Sequence, residues 1–119
     1  MRINGKEIRK ALIIKPNWGN LILNGDKLIE LRGSNTNIRG TIGLIFSGTN
    51  RIWGTVDIIG SKQLSRETFE RFKRYHKVDC DINDISYRKV WGWLIDNPVR
   101  LDKPIDFQPK KGCVIWVNI

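Results

Sequence analysis

Six short apolar runs, each closed by a glycine, proline or polar turn, limit the fold of this 119-residue chain more than any other feature. Ala11–Lys15, Thr41–Ser47, Trp53–Ile59, Lys89–Ile95 and Cys113–Val117 are too short for core helices and rich in β-branched or aromatic side chains, so they read as strands. Leu28–Arg32 alternates, which turns Ile29 and Leu31 toward a core and Leu28, Glu30 and Arg32 to the other face. Gly48-Thr49-Asn50 makes a turn that pairs the strands on either side antiparallel. Pro16 opens a helix with Trp18, Leu21 and Ile22 on one face, and Gly25 stops it. Ser65 caps a second helix of about 66–76, with Leu64 and Phe69 at the positions of a hydrophobic staple. Glu67/Arg71 and Glu70/Arg74 are its i,i+4 pairs. A short third helix is marked near Asp81–Tyr87, and the stretch holding Pro98, Pro104 and Pro109 reads as extended or looping. Regular βαβ alternation is missing. The expectation is an α+β, mainly β fold: a small barrel of five or six mostly antiparallel strands with two or three peripheral helices.

Charge bears on partners rather than on fold. The chain carries 21 Lys and Arg against 12 Asp and Glu, a net charge of +9. Such an excess suits a polyanion, because cations that meet phosphates release counterions; the plainer reading is solubility. Cys80 and Cys113 form no CxxC pair, and one histidine cannot complete a zinc site, so no metal and no cofactor is expected. Two lone cysteines fit a reducing, cytoplasmic setting. No stretch approaches the ~20 apolar residues of a membrane helix. Residues 1–9 are polar and basic and read as an N-terminal arm, which leaves 10–119 as one domain.

The segment Lys15–Arg32, KPNWGNLILNGDKLIELR, concentrates the candidate chemistry. Gly25 lets the helix end tightly, Lys27 leaves that turn, and Glu30 and Arg32 project two residues apart from one strand face. Arg offers a planar fork for phosphate or a base edge, Lys a compact cation, and Glu an acceptor for an exocyclic amine or a clamp for both cations. The plainer reading is a surface ion-pair strip.

Gly25, Lys27, Glu30 and Arg32 are similar to the signature Gly-x-Lys-x-x-Glu-x-Arg of the ASCH family, within the PUA-like superfamily. The Lys15-Pro16 start resembles the family as well. So does the tail of Tyr87, Trp91, Trp93, Leu94, Asn97, Leu101, Pro104, Gly112 and Trp116, and the resemblance spans nearly the whole chain. It implies a PUA-like β-barrel over 10–119 with an RNA-related cleft. That cleft would be bounded by the first helix and by the Gly33–Gly40 loop, where Asn37 and Arg39 are candidate backbone contacts. Lys15, Trp18, Gly25, Lys27, Glu30, Arg32 and Trp93 complete the candidate ligand site, with Trp18 and Trp93 as its aromatic walls. For any one tryptophan, core packing is the competing reading.

Two functions stay open. In one, the chain holds RNA, single-stranded nucleic acid or a nucleotide-derived ligand. In the other it is a hydrolase with Lys27, Glu30 and His76 as candidate catalytic residues. Some ASCH-like proteins are amidohydrolases of N4-acetylcytidine that use a Lys, a Thr and a Glu, and others are reported as ribonucleases. Lys27 matches that lysine. Glu30 stands where the threonine is expected, and His76 lies near the place of the glutamate, so the residues depart from that activity. A helix-capping or packed role competes for His76.

Overall fold

The computed structural model describes all 119 residues. In chain order the elements are β1 (Arg2–Ile3), β2 (Lys6–Glu7), β3 (Lys10–Ile14), α1 (Pro16–Leu23), β4 (Ile29–Arg32), β5 (Gly40–Phe46) and β6 (Arg51–Gln63). α2 (Arg66–Arg71), α3 (Lys73–His76), one 3-10 turn (Ile82–Asp84), β7 (Trp91–Asp106) and β8 (Trp116–Asn118) follow. Six strands form one sheet in the order β4-β7-β6-β5-β3-β8. Only β3 and β5 pair in parallel, with α1 and β4 between them in sequence. The sheet curls into a half-barrel, so the small, mostly antiparallel barrel with peripheral helices is the fold observed.

The curl comes from β6 and β7, which are far longer than their sequence runs suggest. Pairing shifts register between Ile52 and Gly54, Thr55 and Asp57, and Ile58 and Gly60. Asn97 and Pro98 stand opposite Val56 in one irregularity, and Leu101–Pro104 opposite Trp53 in another. Proline cannot donate to a ladder, and a bulge is where no donor is required. Pro98 and Pro104 therefore lie in a bent strand, the extended form of the expectation, and Pro109 lies in the loop that follows it. Each bulge adds twist, which wraps the sheet around its core.

Apolar groups pack in three clusters. The largest fills the half-barrel beneath α1, with Leu12, Ile22, Leu44, Val56, Ile58 and Trp93 at its centre. Another joins Ile29, Leu31, Leu64, Phe69 and Val90 under α2 and α3. The two lie on opposite faces of β4, so this strand has no wet face, and Glu30 is buried rather than solvent-facing. The third cluster corrects the expectation of a free arm. Residues 1–9 fold as a hairpin that buries Ile3 and Ile8 against Ala11, Ile45, Ile52 and Val117. Its turn is Asn4-Gly5, both at positive φ (51° and 81°), a pair that fits the twist of a tight hairpin.

The helical region is also more broken than its periodicity implies. Ser65 and Thr68 form a capping box, and the Glu67–Arg71 pair is present at 2.7 Å. The helix then divides at Phe72, because His76 Nε2 meets the Phe69 carbonyl at 2.8 Å, an acceptor that a continuous helix would offer to Lys73. Glu70 consequently pairs with Lys73 at 3.3 Å rather than with Arg74. The Asp81–Tyr87 helix shrinks to a single 3-10 turn. No helix is long and apolar enough to cross a membrane.

Packing is close where β6 passes beneath α1. A Cβ added at Gly54 would stand 2.6 Å from the Val99 carbonyl oxygen and 2.6 Å from Leu23. Gly54→Ala should therefore lower unfolding free energy by about 2 kcal/mol in urea titrations. An unchanged midpoint would show that this crossing is not closely packed.

Candidate functional site

A Schellman turn sets the geometry. The Gly25 N–H donates to the Ile22 carbonyl at 3.0 Å and the Asp26 N–H to the Leu21 carbonyl at 2.9 Å, with Gly25 at φ 84°. The chain leaves α1 already reversed and delivers Lys27 beneath the helix, ahead of β4. Lys27 is only 1% exposed. Its ammonium donates to the His76 carbonyl at the end of α3, lies 3.7 Å from Glu30 Oε1, and sits over the Trp18 ring at 4.6 Å. Glu30 Oε2 in turn accepts from Arg32 Nε at 3.0 Å and Nη2 at 2.8 Å. The same Nη2 also reaches the Ile13 carbonyl at 3.2 Å. A continuous relay thus runs from α3 through Lys27, Glu30 and Arg32 to β3.

The relay crosses the open seam of the half-barrel. β4 ends the sheet on one side, while β3 and β8 end it on the other, and no backbone pairing joins them. A cleft of about 410 Å³ occupies this seam. Ile13, Lys15 and Trp18 form one wall, the relay forms the floor, and Val78, Ile85 and Tyr87 form the far wall. Arg32 Nη1 makes no bond within the protein, so one guanidinium edge remains available to a ligand.

Burial decides the electrostatics. Desolvation lowers the Lys27 pKa from 10.5 to about 8; Glu30 opposes this shift and Arg32 adds to it. The amine is mostly charged at neutral pH and half neutral one unit higher. Burial also holds the His76 imidazole below its ordinary value. Its Nδ1 accepts from the Val78 N–H at 3.0 Å, so Nε2 carries the proton given to Phe69, and the ring is a neutral, fully engaged tautomer.

The sequence model of the ASCH domain matches residues 12–111. The chain belongs to the ASCH domain family. Its fold is similar to crystal structures of an ASCH protein from Zymomonas mobilis. The unmutated protein aligns with a TM-score of 0.69 at 15% identity, over 92% of this chain and 86% of that one. Two point mutants of it align with TM-scores of 0.72 and 0.68 at 16% identity, over 92% of this chain and 88% and 87% of theirs. No curated protein matches the chain.

This ASCH domain gathers Lys15, Trp18, Lys27, Glu30 and Arg32 at one cleft. Gly25 acts at a distance, through the turn. Trp93 is not a wall: it is 2% exposed, stacks on Trp116 at 5.6 Å, and supports Arg32 from behind at 5.5 Å. The loop does not bound the cleft through Asn37 or Arg39, since Asn37 points to solvent and Arg39 lines a different groove. His76 contributes its carbonyl alone, because both ring nitrogens are committed elsewhere. Tyr87 and Ser47 also line the cleft. Tyr87 lies against Gly33, where a Cβ would meet its ring at 2.8 Å. Tyr87 stood among the tail aromatics of the sequence, but nothing in its spacing tied it to the motif some 55 residues earlier.

A lysine whose folded pKa lies below its unfolded value makes stability rise with pH. Between about 8 and 10.5 the unfolded chain keeps a proton that the folded chain has released. The unfolding free energy of the native chain should gain on that of Lys27→Met by about 1 kcal/mol per pH unit near pH 9. Parallel profiles from chemical denaturation would mean that the amine is not desolvated.

Proposed function

We propose that this ASCH domain binds RNA, or a ligand derived from a nucleotide, with one base seated in the seam cleft. The observation that carries this reading is the buried Lys27–Glu30–Arg32 relay, which opens into a cavity with aromatic walls on a chain of net charge +9. Its size falls within the range of small-ligand sites, about 300–1,000 Å³. Trp18 and Tyr87 offer ring faces to an unstacked base. The free edge of Arg32 and the outer lone pairs of Glu30 suit the polar edge of a base, an acceptor and an amine respectively. Lys15, exposed at the rim, is placed for a phosphate.

A hydrolytic reading draws on one observation, the lowered pKa of Lys27. A neutral amine could take a proton from water attacking an acyl-amide carbon and return it to the leaving amine. The Lys27–Glu30 pair is the machinery for it, and the His76 ring takes no part. N4-acetylcytidine is the probe. Acetate release should climb with pH through about 8 and vanish in Lys27→Met; turnover that survives this substitution would remove the assigned role.

For binding, labelled single-stranded RNA oligonucleotides should associate at low salt and weaken steeply as salt rises, read by fluorescence anisotropy. Arg32→Ala should reduce affinity about tenfold or more. Tyr87→Ala should reduce it by a similar factor while leaving the salt slope unchanged, because a stacked base carries no charge. No association at low salt would overturn the reading.

A further inference from the structure

A second groove, distinct from the seam cleft, lies between the N-terminal hairpin and the end of the Gly33–Gly40 loop. Lys6, Arg9, Lys10 and Arg39 line it, and none of them belongs to any of the seven ion pairs in the structure. The one carboxylate in its lining, Glu7, is taken by the Met1 amine at 2.9 Å. Asp57, whose field reaches Lys6, is bound by Thr41 at 2.6 Å and Asn97 at 2.9 Å. Four cations therefore line one concavity with no ion pair among them.

The groove is mounted on rigid parts. Ile3 and Ile8 anchor the hairpin in the core, with Lys6 and Arg9 beside them. Lys10 is held by Asn118 at 2.6 Å. Arg39 uses Nη1 to hold the Thr36 and Ile38 carbonyls at 2.8 and 2.9 Å, which fixes the plane of its guanidinium and leaves its other nitrogens outward. The two apolar lining residues, Ile38 and Ile42, are half-buried and buried, so there is no exposed apolar anchor such as a protein interface builds around.

From these features we infer that the groove is a phosphate-backbone subsite, and that the partner of this chain is a polynucleotide strand rather than a free nucleotide. The inference rests on the proposed base-binding cleft for its geometry. Arg32 at the cleft and Arg39 at the groove are joined by seven residue steps, so they stand no more than about 25 Å apart. A strand with one base in the cleft can lay following phosphates across Lys6, Arg9, Lys10 and Arg39.

The test compares two triple variants of equal charge. Lys6→Gln/Arg9→Gln/Arg39→Gln empties the groove, and Lys103→Gln/Lys110→Gln/Lys111→Gln removes three exposed cations elsewhere. With a twelve-nucleotide single-stranded RNA, the groove variant should lose about 2 from the log–log salt slope, at about 0.7 per phosphate contact, and should bind at least tenfold more weakly at low salt. The control variant should bind as the native chain does. Equal losses in both variants, or none in the groove variant, would overturn the inference, as would equally tight binding of polyglutamate to the groove. Cytidine monophosphate should bind the native chain and the groove variant alike. If the monophosphate fails to bind while the strand still depends on the groove, the cleft reading falls and the groove stands.

Discussion

Burying one ammonium governs the rest of this architecture. Lys27 is enclosed by α1, β4 and α3, and an isolated charge there would cost several kcal/mol. Three things offset the loss of water: the terminal carbonyl of α3, a carboxylate, and the face of an indole. Each partner comes from a different element, so the requirement to satisfy one side chain fixes where α1 and α3 meet the sheet edge. Glu30 is compensated in its turn by Arg32, and Arg32 by a backbone carbonyl of β3. The sequence of charges is plus, minus, plus. The relay is thus internally bonded yet leaves an excess positive charge at the floor of the cleft.

That relay also explains why the barrel can stay open. A sheet edge normally exposes unpaired backbone groups. At this seam the Ile13 N–H goes to the Ile115 carbonyl, and its own carbonyl is taken by Arg32. A side chain does the work that a sixth pairing would do in a closed barrel. Unlike a strand, it leaves room beside it. Cleft and seam are one feature, held apart by Trp93 and Trp116 stacked behind and by Trp18 above.

Much of this was legible in the residues, and the failures have distinct causes. The Gly25 stop, the pairing of Glu30 with Arg32 on one face, and the Ser65 cap follow from local rules, and local geometry obeys them. The N-terminal hairpin was legible too: Asn4-Gly5 is a strong short-range turn signal, outweighed by the polar look of residues 1–9. Trp93 could not be assigned from spacing, since alternation gives two faces and here both are covered, one by α2 and α3 and one by the half-barrel core. The length of β7 was hidden by its prolines, which mark breaks unless a bulge accepts them. For His76 the packed reading holds over the catalytic one, and its two ring partners are main-chain atoms, Phe69 O and Val78 N, which no pattern of side chains announces.

The Gly33–Gly40 loop shows how site and sequence separate. Read alone, it is a polar connector with two attractive residues, Asn37 and Arg39. Its function in the fold is to carry the chain from the seam to the far end of β5, and its ends are doing opposite things. At one end Gly33 lets Tyr87 lie flat against the strand and close the cleft wall. At the other, Arg39 is pinned by carbonyls of its own loop and turned toward the basic groove. The Trp93 indole N–H, bonded to the Ser34 carbonyl at 2.9 Å, ties the loop's start to the core. Because the loop is tied to buried Trp93 at its start and runs into β5 at its end, the spacing between the aromatic cleft and the cationic groove is set by the sheet. An extended anion would therefore meet two surfaces already in register, without having to order the chain that joins them.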